Sequence, residues 1–254
     1  MKRLITCAFL TAFLLAVGHG QDKNAARTTP SKQTTSTSFV EKLLKFFGIS
    51  DSPSTLKGPG DEVVSGELWV ADLDSGSTRA LTSMGGYRSP VFVSGTKDVL
   101  ALRGIEVMRI PSGGGESKKL CSVDTITKLV GASAEESGKV LILLRGEAAS
   151  RPRVGLLSTT TGVVTVVPYD PASSQDMQMV ENLQGWSRTY GDQRIYVKRR
   201  AKPALSGTVE WSDVFRKVAK SEPVDVSQCD GTDCGQPSLS ENGHLLVFVK
   251  AKAE

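Results

Sequence analysis

Apolar positions along this chain fall in short runs separated by turn residues, and the same arrangement returns four times. The first copy reads Glu67-Leu68-Trp69-Val70-Ala71-Asp72, Arg79-Ala80-Leu81-Thr82, then Ser89-Pro90-Val91-Phe92, closed by the apolar run Val99 to Leu102. The last reads Asp213-Val214-Phe215, Pro223 to Ser227, then Gln236-Pro237-Ser238-Leu239-Ser240 and Gly243 ahead of Leu245 to Phe248. Two worn copies lie between, marked by Arg109-Ile110 with Lys119-Leu120 and by Leu156-Leu157 with Gly162. Their apolar strands are Lys139 to Leu144 and Gln193 to Val197. The turn glycines Gly95, Gly138, Gly191 and Gly243 set a period of about 49 residues.

Each copy supplies a strand pair, a turn and a second strand pair. A unit of that size cannot bury both faces of its own small sheet, so neighbours must stack. Antiparallel units repeated at this period predict an all-β fold, a small β-propeller of about four blades. Read in phase, residues 91–120, 128–168 and 184–226 are whole blades. The strand pair at 67–82 and the pair at 237–250 are orphans that should join across a seam into the fourth blade, which hides edges that would otherwise template aggregation. An open arc, or a homodimer completing an eight-bladed ring, is the alternative if the ring does not close.

These residues resemble the TolB-type propeller repeat: an I/L-W-x-x-D-L strand, a small turn, L-T, then P-x-F/W-S-P-D-G before an apolar strand. The resemblance covers roughly residues 63–250. Its P-D-G turn is replaced here by Glu241-Asn242-Gly243 and by Thr189-Tyr190-Gly191, and TolB's amino-terminal α/β domain has no counterpart we can find. The resemblance implies the fold and an envelope-associated binding role; propellers as a class host many unrelated functions.

The amino-terminal part reads as four successive segments. Residues 1–20, with Lys2-Arg3, an apolar run from Leu4 to Val17 and small residues at 16, 18 and 20, read as a secretory signal peptide. Its apolar core falls short of the roughly 20 residues that span a bilayer. Residues 21–38 are a Thr/Ser-rich tether expected to be disordered. Residues 39–48 follow a capping box at Ser38 and Glu41 and place Phe39, Leu43, Phe46 and Phe47 on one helical face, ended by Gly48. Packing against the propeller is the plainer role for this helix; weak membrane-surface contact through residues 39–47 is the sharper one. Residues 49–62 form a linker to the propeller at 63–250.

Charge narrows the partners. The chain carries a net +4, and removing residues 1–20 takes away two cations and no acids, leaving +2. That balance predicts no nucleic-acid footprint. The dense basic run Lys198-Arg199-Arg200, with Lys202, follows the apolar strand ending at Val197 and is expected on an exposed loop. Three cysteines remain after residue 20. Export into an oxidising compartment makes Cys229 and Cys234, five apart across a glycine-containing loop, a disulfide pair; a zinc site would want four ligands. Cys121 is left over, in the slot that Thr82 and Ser227 hold in other copies.

No constellation in the sequence reads as catalytic, metal-binding or cofactor-binding. Of the two histidines, His19 lies at the cleavage region and His244 in a turn, so a Ser-His-acid triad would depend on a turn residue. Gly185-Trp186-Ser187-Arg188-Thr189 lacks the second glycine of a nucleophile elbow. Gly113 to Gly115 joins strands instead of opening a helix, and Asp72-Leu73-Asp74-Ser75-Gly76 has no acid at the twelfth position of a calcium loop.

The resulting expectation is a non-catalytic, exported and periplasmic (or secreted) interaction module that needs no cofactor and docks on protein partners of the cell envelope. Candidate partner-binding residues are Trp186, Tyr190, Lys198, Arg199 and Arg200, with the loop Tyr169 to Met179. Two alternatives stand: a propeller lyase or hydrolase with a central-channel site, and a structural subunit of an envelope complex.

Overall fold

The structure is a computed structural model that describes residues 65–132, 138–146, 152–168, 180, 183–205 and 207–251. The expected signal peptide, tether, helix and linker lie outside the described residues, as does the loop 169–179. Among the described residues, sixteen strands are arranged in four sheets of four, with every pairing antiparallel. Numbered along the chain, the strands begin with β1 (Glu67–Asp72) and β2 (Thr78–Ala80), then β3 (Tyr87–Phe92), β4 (Asp98–Arg103), β5 (Glu106–Pro111) and β6 (Lys118–Ser122). Then come β7 (Ile126–Ala132), β8 (Lys139–Leu144), β9 (Arg153–Ser158) and β10 (Val164–Val167). The last six are β11 (Arg188–Tyr190), β12 (Gln193–Ala204), β13 (Gly207–Val218), β14 (Val224–Asp225), β15 (Cys234–Leu239) and β16 (Leu245–Lys250). We use blade 1 for β3–β6, blade 2 for β7–β10, blade 3 for β11–β14, and blade 4 for β15-β16-β1-β2.

The fold is a four-bladed propeller, and its seam is where the repeat phase puts it. β1 pairs with β16 over six residues, Glu67 opposite Lys250 and Asp72 opposite Leu245, with Trp69 opposite Phe248. Second strands such as Lys139–Leu144 and Leu245–Lys250 read as nearly unbroken apolar runs because both their faces are covered by other blades. The third strand Glu67–Asp72 instead buries Leu68 and Val70 and leaves Glu67 and Trp69 partly exposed. The repeated glycines have a backbone reason: Gly95, Gly138, Gly191 and Gly243 have φ of 71°, 85°, 60° and 74°, a region costly for other residues.

Between neighbouring blades lie wedges of buried side chains. Leu68, Tyr87, Phe92, Ile110 and Val249 fill the junction of blades 4 and 1. Val91, Leu102, Ile126, Leu129 and Ile142 fill that of blades 1 and 2. Ile195, Val214, Leu239, Leu246 and Phe248 fill that of blades 3 and 4. On its other side blade 2 buries Val130, Leu141 and Leu143 against Val180 and Leu183, which precede β11. Polar ties follow the same repeat. The guanidinium of Arg79 donates to the Ser112 carbonyl, and that of Arg109 to the Thr159 carbonyl, each reaching the next blade.

The Leu-Thr slot has a clear structural role. Thr82 Oγ1 accepts the backbone N–H of Leu68 at 3.0 Å, and Ser227 Oγ accepts that of Val214 at 2.8 Å. Both hydroxyls satisfy a strand donor where the outermost strand has ended. Cys121, opposite Val107 in blade 1, fills the same slot as a half-buried free thiol.

Two local expectations need correction. The run Lys198-Arg199-Arg200 is not on a loop: β12 continues through it to Ala204, paired residue for residue with β13. Charged side chains hid this extension, because a solvent-exposed two-stranded arm requires no apolar alternation. Trp186 does not occupy the slot of Leu239 in the inner strand either. Blade 3 closes its inner hairpin with the tight turn Gly191-Asp192, so Thr189 opposite Arg194 takes the place that Leu239 opposite Leu246 holds in blade 4, and Trp186 lies ahead of the strand.

Candidate functional site

The sequence candidates separate into three places. Cys229 and Cys234 are joined in a disulfide with α-carbons 6.3 Å apart, within the range a bridge requires. It closes the loop that leads into β15 and packs into the core between blades 3 and 4.

Trp186 and Tyr190 serve the body of the fold. Lys128 is buried on β7, and its ammonium sits 3.5 Å from the centre of the Trp186 ring while donating to the carbonyls of Gln184 and Gly185 at 2.7 and 2.8 Å. A desolvated ammonium is tolerable here because carbonyl dipoles and the ring face replace its hydration. Arg188, also buried, donates to the carbonyls of Ser187 and Leu183. Both cations thus stitch the segment before β11 in place. Neither was singled out from sequence, since nothing in a lone lysine or arginine signals burial. Tyr190 packs with Ile195 and Leu239, and burial raises its hydroxyl pKa above the ordinary phenol value.

Lys198, Arg199 and Arg200 stand on the β12–β13 hairpin. Directly opposed residues share a face, so one face carries Tyr196, Lys198, Arg200 and Lys202 against Phe215, Asp213, Trp211 and Val209. Cations lie over rings along it: Lys198 and Arg200 at 5.6 and 5.8 Å from Phe215, and Lys202 at 5.5 Å from Trp211. Arg199 meets Glu210 at 3.8 Å and Arg200 meets Asp225 at 3.7 Å, all four side chains partly exposed.

At the foot of this hairpin is a buried polar knot. Trp211 Nε1 donates to Asp213 Oδ2 at 2.7 Å, while Cys229 N and Ser227 Oγ donate to Oδ1 at 3.0 and 3.3 Å. Burial raises the Asp213 pKa above the usual carboxylate value, with these donors and the neighbouring Asp225 acting on it as smaller influences. Asp233 Oδ1 accepts from Ser212 N at 2.8 Å. The knot anchors the hairpin to the disulfide loop. In the repeat Asp213 stands where Glu67 stands in the first copy, and nothing in the sequence marked it as buried.

A cleft of about 210 Å³ opens beside the knot, between the β1–β2 turn of blade 4 and the edge of blade 3. Ala71, Leu73, Val218, Val224 and Val226 give it an apolar floor, and Asp72, Arg216 and Asp225 border it. Those polar groups are committed locally. Asp72 Oδ1 accepts the N–H groups of Asp74 and Ser75 at 3.0 and 2.9 Å, chiefly the Ser75 bond holding its pKa below the ordinary value. Arg216 Nε donates to Gln193 Oε1 at 2.8 Å, and Asp225 Oδ1 accepts from the backbone of Ser227 and Gln228. The Asp72 turn is therefore an Asx turn, as its spacing suggests.

His244 Nδ1 lies 2.7 Å from Asp74 Oδ2, with both side chains more than half exposed. Among the described residues no group of three or more His, Cys, Asp or Glu is arranged to hold a metal ion. Gly113 to Gly115 turn between β5 and β6, with φ of 90° at Gly114 and 125° at Gly115.

No protein-family model matches the sequence, and no curated protein matches it. Similar solved structures include a protein from Agrobacterium tumefaciens assigned as a TolB, at 14% identity over 70% of this chain and 59% of that one, with a TM-score of 0.35. TolB from Acinetobacter baumannii is 11% identical over 73% of this chain and 49% of that one, with a TM-score of 0.34. The β-propeller domain of the trilobed protease from Pyrococcus furiosus, described as having an open velcro topology, is 14% identical over 70% of this chain and 68% of that one, with a TM-score of 0.28. This chain spans about half to three fifths of the length of the two TolB proteins. Its four antiparallel sheets make it a small four-bladed β-propeller, with TolB and other propeller proteins among its structural neighbours.

Proposed function

We propose that this chain is an exported, non-catalytic interaction module that docks on a protein partner in the cell envelope through the rim of its propeller. The cleft between blades 3 and 4 carries the reading. Its volume of about 210 Å³ suits one or two apolar side chains of a partner. The carboxylates and guanidinium at its border are engaged in turns and side-chain bonds that hold the rim in shape. Groups committed in this way position a surface; they are poorly placed to shuttle protons. Export is supported by the amino-terminal sequence pattern and by the Cys229–Cys234 bridge, which persists in oxidising compartments.

The experiment is affinity capture from native envelope with the tagged mature chain, set beside Val224→Asp. Val224 is largely exposed at the cleft, so the substitution should leave the fold intact. A specific protein captured by the parent and lost with Val224→Asp is the expected result. Turnover of peptide, ester or glycan panels that is abolished by His244→Ala would overturn the non-catalytic reading. Capture unchanged by Val224→Asp would remove the cleft from it.

A further inference from the structure

We infer that the β12–β13 hairpin is a membrane-contacting arm that engages anionic lipid headgroups and buries its tip at the bilayer surface. This goes beyond the rim-docking reading and rests on different residues. β12 and β13 are 12 residues each, whereas no other strand among the described residues exceeds seven. Blade 3 uses only part of that length: β11 pairs with β12 at Gln193 to Ile195, and β14 with β13 at Phe215 and Arg216. From Arg199 to Leu205 and from Gly207 to Glu210 every described residue is exposed. At the rise of a strand, this arm reaches roughly 20 Å beyond the blade.

Its composition is polarised along that length. Residues 193–218 hold seven Lys/Arg and two Asp/Glu, so this hairpin alone exceeds the net +4 of the whole chain. One of the two acids, Asp213, is buried in the knot at the foot and does not offset the surface charge. The far end is apolar instead, with Pro203, Ala204 and a fully exposed Leu205. Val209, partly exposed, backs the tip. Lys198, Arg200 and Lys202 line up on one face with their cationic heads over the Phe215 and Trp211 rings, and all three side chains remain exposed to solvent.

An apolar tip with cations set just behind it matches the layering of a bilayer surface, acyl boundary first and anionic headgroups next. An acidic protein or a free polyanion would use the cations alone and give Leu205 no role. Charges along the outer edges also prevent strand addition, but that protection requires no apolar tip.

The test is co-sedimentation of the full mature chain with vesicles of phosphatidylcholine, alone or mixed with phosphatidylglycerol, at about 0.1 M salt and again at high salt. Binding to the phosphatidylglycerol vesicles, little to pure phosphatidylcholine, and loss at high salt are expected. Lys198→Gln/Arg200→Gln/Lys202→Gln should weaken binding roughly tenfold or more, and Leu205→Asp severalfold, with unchanged circular dichroism in both. Binding that ignores Leu205→Asp but follows the charges would make the ligand a polyanion and overturn the proposal. So would binding that survives both variants, which would assign it to residues 39–47, or no binding at all.

Discussion

The backbone N–H of Ser89 donates to Oε1 of Gln236 at 2.6 Å, and the two residues hold the same position in adjacent blades. Each precedes a proline, each has a left-handed backbone (φ 52° at Ser89, 54° at Gln236), and each sits within a register shift of its inner strand. Both are buried. The bulge turns a strand donor inward, and the neighbouring blade supplies its acceptor.

Gln236→Leu should therefore leave the Ser89 N–H buried without that acceptor and destabilise the fold by about 1–3 kcal/mol. Ser89→Gly, which removes the Cβ at a left-handed position, should be close to neutral. Urea midpoints of the two variants check the contrast.

The seam tolerates no added atom at Gly66. A Cβ there would collide with the backbone carbonyl of Lys250, which cannot swing aside as a side chain could. Gly66→Ala is expected to cost about 1–3 kcal/mol. Gly113→Ala, where nothing lies within reach, is the matched control, again read from unfolding midpoints.

Asp213 has three donors on two oxygens, so Asp213→Ala should destabilise by about 2–4 kcal/mol. Asp213→Asn should cost less, about 1–2 kcal/mol near pH 7, since it removes a buried charge while losing an acceptor. The folded pKa of this carboxyl is raised, so the folded state takes up its proton before the unfolded chain does. Stability from this group is thus regained as pH falls through the folded pKa toward the unfolded value of about 3.9. The deficit of Asp213→Asn relative to the parent should widen over that window, as measured by denaturation at several pH values.

Glu241 behaves in the opposite sense. It bridges blade 4 to blade 1, accepting from Ser94 Oγ at 2.7 Å and Gly95 N at 3.1 Å, and chiefly the Ser94 bond lowers its pKa. Its contribution is present above the unfolded carboxyl value and lost as pH falls through the folded one. Because the site is exposed, Glu241→Gln should cost well under ~1 kcal/mol at neutral pH, and the difference should vanish in acid.

Removing the bridge with Cys229→Ser/Cys234→Ser should leave a folded propeller that melts a few degrees lower. A loop this short contributes less than the roughly 3 kcal/mol of a fifteen-residue closure. Thiol titration of the denatured, unreduced mature chain should find one sulfhydryl, that of Cys121. Three would mean the bridge does not form.

The seam was legible because Trp69 and Phe248 stand at defined points of a repeat whose phase survives even in worn copies. Cys229 and Cys234 were legible from spacing and compartment. The hairpin arm was not, since Lys198 to Ala204 lack the alternation by which a half-buried strand declares itself. The place of Trp186 was obscured by the Gly191 turn: aligning on that glycine assumes equal loop lengths, and blade 3 shortens the loop. The inter-blade cleft could not be read at all, because it is made by Leu73 and Val226, residues of two copies brought together only by stacking.

The pairing of Trp69 with Phe248 also orders events in time. β1 is among the first strands of the propeller to leave the ribosome, yet its partner β16 follows some 180 residues later. Until then β1 and β2 are a two-stranded ribbon, marginal alone in water, with the open edge of β1 waiting. Closing so long a loop makes blade 4 the slow step of assembly. Three blades can therefore begin to condense while the ring cannot yet lock.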